Sequence, residues 1–284
     1  MKNHFIVKEP IILMDYLTIV LEKPRKKAKA LLTNECVYVN NKVVTQYNHP
    51  LLEGNTVLIK DYNKDNIPKN IEIIYEDKDI IVVNKPNGLL TVSTENEKEK
   101  TLFHMVSDYV KVKNKNARIF IVHRLDKETS GIILFAKSDR VKKSYQDDWE
   151  KLALYRGYVA VVSGVPALRE NKVTEYLKEL ENMKVYKTKE EDGKKAVTYY
   201  KVTRTNNKFS LLDIKIDTGR KNQIRVCMQN MGNPVVGDKK YGSIVDPVKR
   251  MCLHAHKLKV INPITNKEME FISKMPTSFL KLTK

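Results

Sequence analysis

Apolar residues in this chain gather mostly into short runs bounded by polar, turn-forming clusters, and only a few stretches carry helical spacing. Near the N-terminus, Ala28, Leu31 and Leu32 recur at that spacing behind Pro24, which suits a helix start, so Arg25–Leu32 is expected to be helical. Two β-rich runs then flank Asn40-Asn41 (VYVNNKVV), a hairpin signal, and Thr56–Ile59 reads as a further strand after the turn residues Glu53-Gly54-Asn55. The polar run Asp61–Asn70, with Pro68 inside it, has too little apolar content to pack and reads as a connector. The expected organisation is a small unit over 1–62, a linker over 63–70 and a large unit over 71–284.

In the large unit, Ile71–Tyr75 and Ile80–Asn84 flank a four-residue polar turn as a hairpin would. Leu102–Val112 has helical periodicity, Ile132–Ala136 is a wholly apolar strand candidate, and Asp139–Leu152 reads as one helix. Tyr158–Val162, Ala196–Thr203 and Phe209–Asp217 are β-like. Thr218 is placed to cap a helix running through Gln229, which Gly232 ends. Strands that follow one another with few helices between them argue for an α+β fold with a mostly antiparallel mixed sheet, preceded by a small N-terminal α/β unit. No repeat or low-complexity tract stands out.

Charge changes the picture. The 284 residues hold 52 Lys+Arg against 34 Asp+Glu, a formal net charge of +18. Such a surplus attracts polyanions, nucleic acid first and an anionic membrane surface second. Lys23, Arg25, Lys26, Lys27 and Lys29 concentrate it at the start of the first helix, where a solvated helix face would look the same. Cys36, Cys227 and Cys252 are scattered and form no Cys-x-x-Cys pair, so neither a disulfide framework nor a zinc ribbon is suggested and a reducing, cytoplasmic setting fits. The Ile11–Leu21 stretch is interrupted by Asp15 and lacks a small-residue cleavage site, and no apolar run reaches the ~18 residues that span a bilayer. A monomer without membrane attachment is the default expectation.

Two polar clusters stand out as candidate chemistry. Val122–Gly131 (VHRLDKETSG) is a charged loop leading into the apolar strand, with Asp126 either turning the loop through its own amides or presented at the sheet edge for reaction. Thr218–Arg225 (TGRKNQIR) sets Arg220, Lys221 and Arg225 about a helix start, suited to phosphate but equally an ordinary basic helix. His254 and His256 form a His-x-His pair for which no third metal ligand is evident, and a structural role is the simpler reading.

HRLDKETSGIILFAKS closely resembles the signature of the RluA-type pseudouridine synthases. Further segments resemble that family's other motifs in the same order: IIYEDKDIIVVNKPNGLL (Ile73–Leu90), RGYVAVVSG (Arg156–Gly164), TGRKNQIRVCMQNMGNPVVGDKKYG (Thr218–Gly242) and LHAHKL (Leu253–Leu258). The N-terminal helix, basic run and hairpin are similar to the alpha-L RNA-binding domain found in ribosomal protein S-four. The resemblance implies an enzyme that isomerises uridine in structured RNA, ribosomal RNA being favoured over transfer RNA. It implies Asp126 as nucleophile, Arg225 as its ionic partner and Tyr158 as the aromatic group on the uracil ring. Arg124 would displace or replace the flipped base, Lys85 and Arg220 would touch phosphates, and Lys26, Lys27 and Lys29 would face RNA.

The chemistry suits these residue types. Isomerisation gains and loses no atoms or electrons, which agrees with the expectation of no cofactor and with the lack of Gly-x-Gly-x-x-Gly, P-loop or metal-ligand spacing. A carboxylate is a nucleophile that needs no general base at neutral pH. The target base must leave its stack, at a cost of a few kcal/mol. Two departures from the family pattern touch supporting contacts: Asn222 and Cys227 stand where histidines are usual, and Thr91-Val92-Ser93-Thr94 replaces a His-Pro. The competing reading is a non-catalytic RNA-binding or ribosome-assembly protein that kept the fold, for which the set Asp126, Tyr158 and Arg225 would have no use.

Overall fold

The computed structural model describes residues 4–33, 36–59, 71–95 and 97–284. The expected linker, 63–70, lies outside the described residues. The chain forms two compact units, Met1–Asn70 and Ile71–Lys284.

In the first unit, strands His4–Ile6, Thr56–Ile59, Val37–Val39 and Lys42–Val43 pair in that order, all antiparallel. The hairpin turns on Asn40 and Asn41, both at positive φ (47° and 64°), the backbone that a tight two-residue hairpin requires and that asparagine tolerates. The Arg25–Thr33 helix lays Ala28 and Leu32 onto a core with Leu13, Leu17, Val37 and Val57, leaving Lys26, Lys27 and Lys29 exposed. The Ile11–Leu21 stretch contributes a helical turn, Leu13–Asp15, that widens into a π-turn over Tyr16–Val20.

The second unit is built on an eleven-stranded sheet. Its path runs from Val185–Thr188 through Glu170–Glu179, Lys194–Thr205, Phe209–Ile216, Tyr155–Ser163, Leu253–Ile261, Ser130–Ala136 and Ile80–Lys85 to Glu72–Glu76. Phe120–Ile121 and Glu268–Ile272 pair beside that path. Among the described strand pairs, Ser130–Ala136 with Leu253–Ile261 is the parallel one, so the fold is mixed α+β and mainly antiparallel. The apolar Ser130–Ala136 strand is buried on both faces. Ile133 and Phe135 meet the Leu102–Lys113 helix on one side, while Ile132 and Leu134 meet the Asp139–Asp147 helix on the other.

Two local expectations are corrected. The helix expected over Asp139–Leu152 stops at Asp147 and resumes as a short turn, Trp149–Leu152, beyond Asp148. Thr218 does not cap a helix: the helix is Gln223–Asn230, and Asn222 precedes it in the left-handed region at φ 54°. The Thr218 hydroxyl instead accepts from Val197 N (2.8 Å) and donates to Gln223 Oε1 (2.7 Å). Gly232, at φ 78°, follows the helix as expected, its N–H reaching Gln229 O at 3.0 Å.

The sheet register decides where the polar clusters meet. Lys85 pairs with Gly131, Gly131 with Ala255, Ala255 with Tyr158, and Tyr158 with Ile214, so these residues form one row across five strands. At about 4.8 Å per strand, the loop that ends at Gly131 lies roughly 10 Å from Tyr158. The chain then leaves the Phe209–Ile216 strand near the end of that row and enters the loop before Arg225. Gly131 sits at the parallel seam with φ 116°, and a Cβ there would lie 2.2 Å from Ala255 O.

Candidate active site

Asp126 and Arg225, 99 positions apart, meet through Asp126 Oδ2 and Arg225 Nη1 at 3.0 Å. The Asp126 side chain is 29% exposed and that of Arg225 9%. Among the described residues the other Asp126 oxygen has no hydrogen-bond partner, so the loop's own amides do not consume the carboxylate. Thr91 pins the preceding residue: its hydroxyl donates to Leu125 O (2.8 Å) and accepts from Leu125 N (3.3 Å). One member of the departure at 91–94 therefore braces the loop that carries Asp126.

Arg225 is held on every side. Its Nε and Nη2 donate to the two oxygens of buried Asp238 at 2.7 and 2.9 Å, and its Nη1 also reaches Asn222 Oδ1 at 2.9 Å. Its guanidinium carbon lies 4.9 Å from the centre of the Tyr241 ring. The Tyr241 hydroxyl accepts from Asn222 Nδ2 (2.9 Å) and from Val185 N (3.0 Å). Burial pulls the guanidinium pKa down, but the hydrogen bonds and charge of Asp238, joined by Asp126, hold it above its ordinary value. The left-handed turn at Asn222 faces its amide to both Arg225 and Tyr241. Cys227 lies in the hydrophobic core with Ile224 and Met228, and burial pushes its thiol up to about 12. Sequence reasoning assigned no role to Asp238 or Tyr241, although the GDKKYG run that carries them was in view.

Tyr158 lies on Tyr155–Ser163; the register with Leu253–Ile261 shifts between Gly157 and Tyr158 because His256 is an extra residue on the opposite strand, which leaves the alternation along Tyr155–Ser163 intact. Burial raises its phenol to about 12; Arg156 opposes this rise and Asp126 adds to it. Asp126, Tyr158, Arg124 and Arg220 all line one cleft of about 1020 Å³. Arg124 is exposed, and Arg220 spends its Nε on Lys195 O at 3.0 Å.

Lys85 is a correction. Rather than meeting phosphate, its ammonium is fully buried and donates to three backbone carbonyls, Pro86 O (2.9 Å), Leu89 O (2.7 Å) and Lys127 O (2.9 Å). It has no free donor to offer, and it ties the loop after its own strand to the loop of Asp126. Burial draws its pKa down to about 7 against the attraction of Glu128 and Asp126. His123 accepts from Leu134 N at 3.1 Å and stacks on Trp149 at 5.0 Å, with burial holding it near 4 and neutral. His254 and His256 have separate partners, Ser130 Oγ (2.8 Å) and Ser273 O (2.6 Å), and no group of three or more potential metal ligands occurs among the described residues. No helix among the described residues is long and apolar enough to cross a membrane.

A carboxylate paired with a fixed guanidinium thus lines a cleft together with an aromatic ring and several cations, on a mixed, mainly antiparallel sheet. Residues 79–230, which include Asp126, Tyr158 and Arg225, match the RNA pseudouridylate synthase family, and the chain belongs to it. It is 31% identical over 254 residues to the uncharacterized RNA pseudouridine synthase YjbO of Bacillus subtilis, covering 87% of this chain and 89% of that one. It is 29% identical over 282 residues to the ribosomal large subunit pseudouridine synthase D of Haemophilus influenzae, covering 92% and 86%. The fold is shared with the human RNA pseudouridylate synthase domain containing 4, at a TM-score of 0.61 and 23% identity over 73% of this chain and 90% of that one. The protein is thus an isomerase acting on RNA.

Proposed function

We propose that this synthase converts uridine to pseudouridine in ribosomal RNA of the large subunit, with Asp126 as nucleophile on a base drawn out of its helix. The Asp126–Arg225 contact at 3.0 Å, with the second carboxylate oxygen uncommitted, carries this reading. Similarity to a ribosomal large subunit enzyme over most of both chains supports the choice of RNA.

The bond from ribose C1′ to base N1 breaks while Asp126 attends the leaving fragments, the uracil turns, and C1′ joins C5. The proton lost from C5 is matched by one gained at N1, so atoms and electrons balance without a cofactor. Arg225 holds the carboxylate in one orientation, which spares the reaction the entropy of finding it. Tyr158 stacks on the ring; burial keeps its phenol protonated at physiological pH, so it enters as a neutral group and not as a preformed base. Arg124, exposed on the cleft next to Leu125 and Asp126, fills the space the base vacates. Arg220 contacts phosphate in the same cleft, and Lys26, Lys27 and Lys29 make their own RNA contact on an alpha-L type N-terminal unit.

Asp126→Asn is expected to abolish isomerisation while leaving RNA affinity within a few fold, as read by pseudouridine mapping and filter binding. Full turnover by that variant would sink the assignment. Mapping ribosomal and transfer RNA from a strain lacking the gene identifies the target, and a map unchanged from the parent strain would point to a non-catalytic binder.

A further inference from the structure

Arg156 is a buried cleft residue whose charge has no counter-ion among the described residues. Its residue is 9% exposed, yet no carboxylate lies within ion-pairing distance of it among the described residues. Its Nη2 donates to the backbone carbonyl of Asp217, and its buried Nε has no partner. Glu150 and Asp217 attract it only from a distance, and Arg220 repels it. Arg225, by contrast, has Asp238 and Asp126 both bonded to it. A buried guanidinium without a counter-charge is unfavourable, and the fold tolerates one where a ligand brings the missing anion.

Its position fits that use. Arg156 and Tyr158 are two apart on one strand, so their side chains leave the same face, and both line the cleft that holds Asp126. Gly219, from the loop before the Arg225 helix, lies over the Arg156 Nη1, where a Cβ would come within 3.1 Å. That glycine is not at positive φ, so what its missing side chain provides is room beside the guanidinium. Arg220 and Lys221 line the cleft next to it.

We propose that Arg156 is a phosphate-binding residue that, with Arg220, grips an RNA backbone phosphate adjoining the uridine presented to Asp126. This rests on the functional reading above. A neutral uracil carbonyl would satisfy a donor but leave the charge uncompensated, whereas a phosphate supplies both the charge and acceptors matched to the guanidinium fork.

The test uses the full chain and the RNA in which mapping places the modification. Arg156→Gln is expected to weaken binding on the order of tenfold or more. It should also make the dependence of log K on log salt shallower by about 0.7–0.9, the signature of one lost phosphate contact. Arg156→Lys should restore the salt slope. If Arg156→Gln does not fold, wild-type enzyme and RNA carrying an uncharged methylphosphonate linkage on either side of the target uridine give the same reading. A tenfold loss at one linkage supports the proposal, and none at either overturns it. Unchanged affinity and slope in Arg156→Gln, with or without a fall in turnover, overturn it too, because the residue would then only be supporting Tyr158 or the Asp217 carbonyl. Absence of product with wild-type enzyme would bring down the functional reading and the subsite together.

Discussion

At the scale of single residues, the signature loop is supported by groups whose chemistry is decided by burial. Lys85 is the clearest case: a lysine expected at phosphate is instead fully buried under three carbonyls. Lys85→Ala should therefore cost at least about 2 kcal/mol, because buried acceptors lose their donor. A fall in Tm with little change in RNA affinity of the folded protein would bear this out, and the reverse pattern would restore it as a phosphate contact. Gly131→Ala should be worse, since its Cβ would collide with Ala255 O at 2.2 Å from a backbone at φ 116°. His254 gives a pH dependence. Burial first, then Arg250 and His256, lower its pKa from 6.5 to about 4. The unfolded chain therefore binds the proton more readily, so its contribution to stability is intact above pH 6.5 and drains away as pH falls toward 4. The slope is about 1.4 kcal/mol per pH unit for such a group. His123, also held near 4, adds a like slope over the same window, so urea unfolding should show both and His254→Gln should remove about half of it.

At the scale of elements, the helix Gln223–Asn230 matters for how it aims Arg225. Thr218 looks like a cap in the sequence, but the loop wraps around the side chain of Gln223. That amide accepts from Thr218 Oγ1 and Arg220 N and donates to Val197 O and Thr198 Oγ1, which delays the helix to Gln223. Strand partners settle this, and local capping preference does not see them. Likewise Asp139–Leu152 has unbroken helical spacing, yet Trp149 leaves the helix axis to pack its ring on His123 and Tyr145. The Asp238 carboxylate is the other half of the Arg225 device. Asp238→Ala should cost about 3–5 kcal/mol by stranding a buried guanidinium. Asp238→Asn should fold better but turn over far more slowly, a split seen by comparing Tm with kcat.

At the scale of the whole molecule, a net charge of +18 on a protein whose ligand is RNA makes salt a direct probe. RNA affinity should fall linearly on a log–log salt plot with a slope of several units, and a flat response would contradict the electrostatic account. Charge reversal at exposed Lys26, Lys27 and Lys29 should weaken binding to long RNA while leaving turnover on a short target hairpin unchanged. Equal losses on both would deny the N-terminal unit its own role.

The strand-rich pattern, the hairpin at Asn40-Asn41, the mixed α+β class and the two clusters around Asp126 and Arg225 were legible in the residues because each is written locally, in alternation, turn chemistry or a contiguous motif. What the residues could not disclose is the row Lys85–Gly131–Ala255–Tyr158–Ile214, since register across five strands depends on partners far apart in the chain. That row, and the burial it imposes, turned Lys85 inward, left Arg156 without a counter-ion among the described residues, and made Asp238 the anchor of Arg225. Side-chain identity determined which chemistry was available; only the packed sheet decided which groups were spent on the fold and which remained free for RNA.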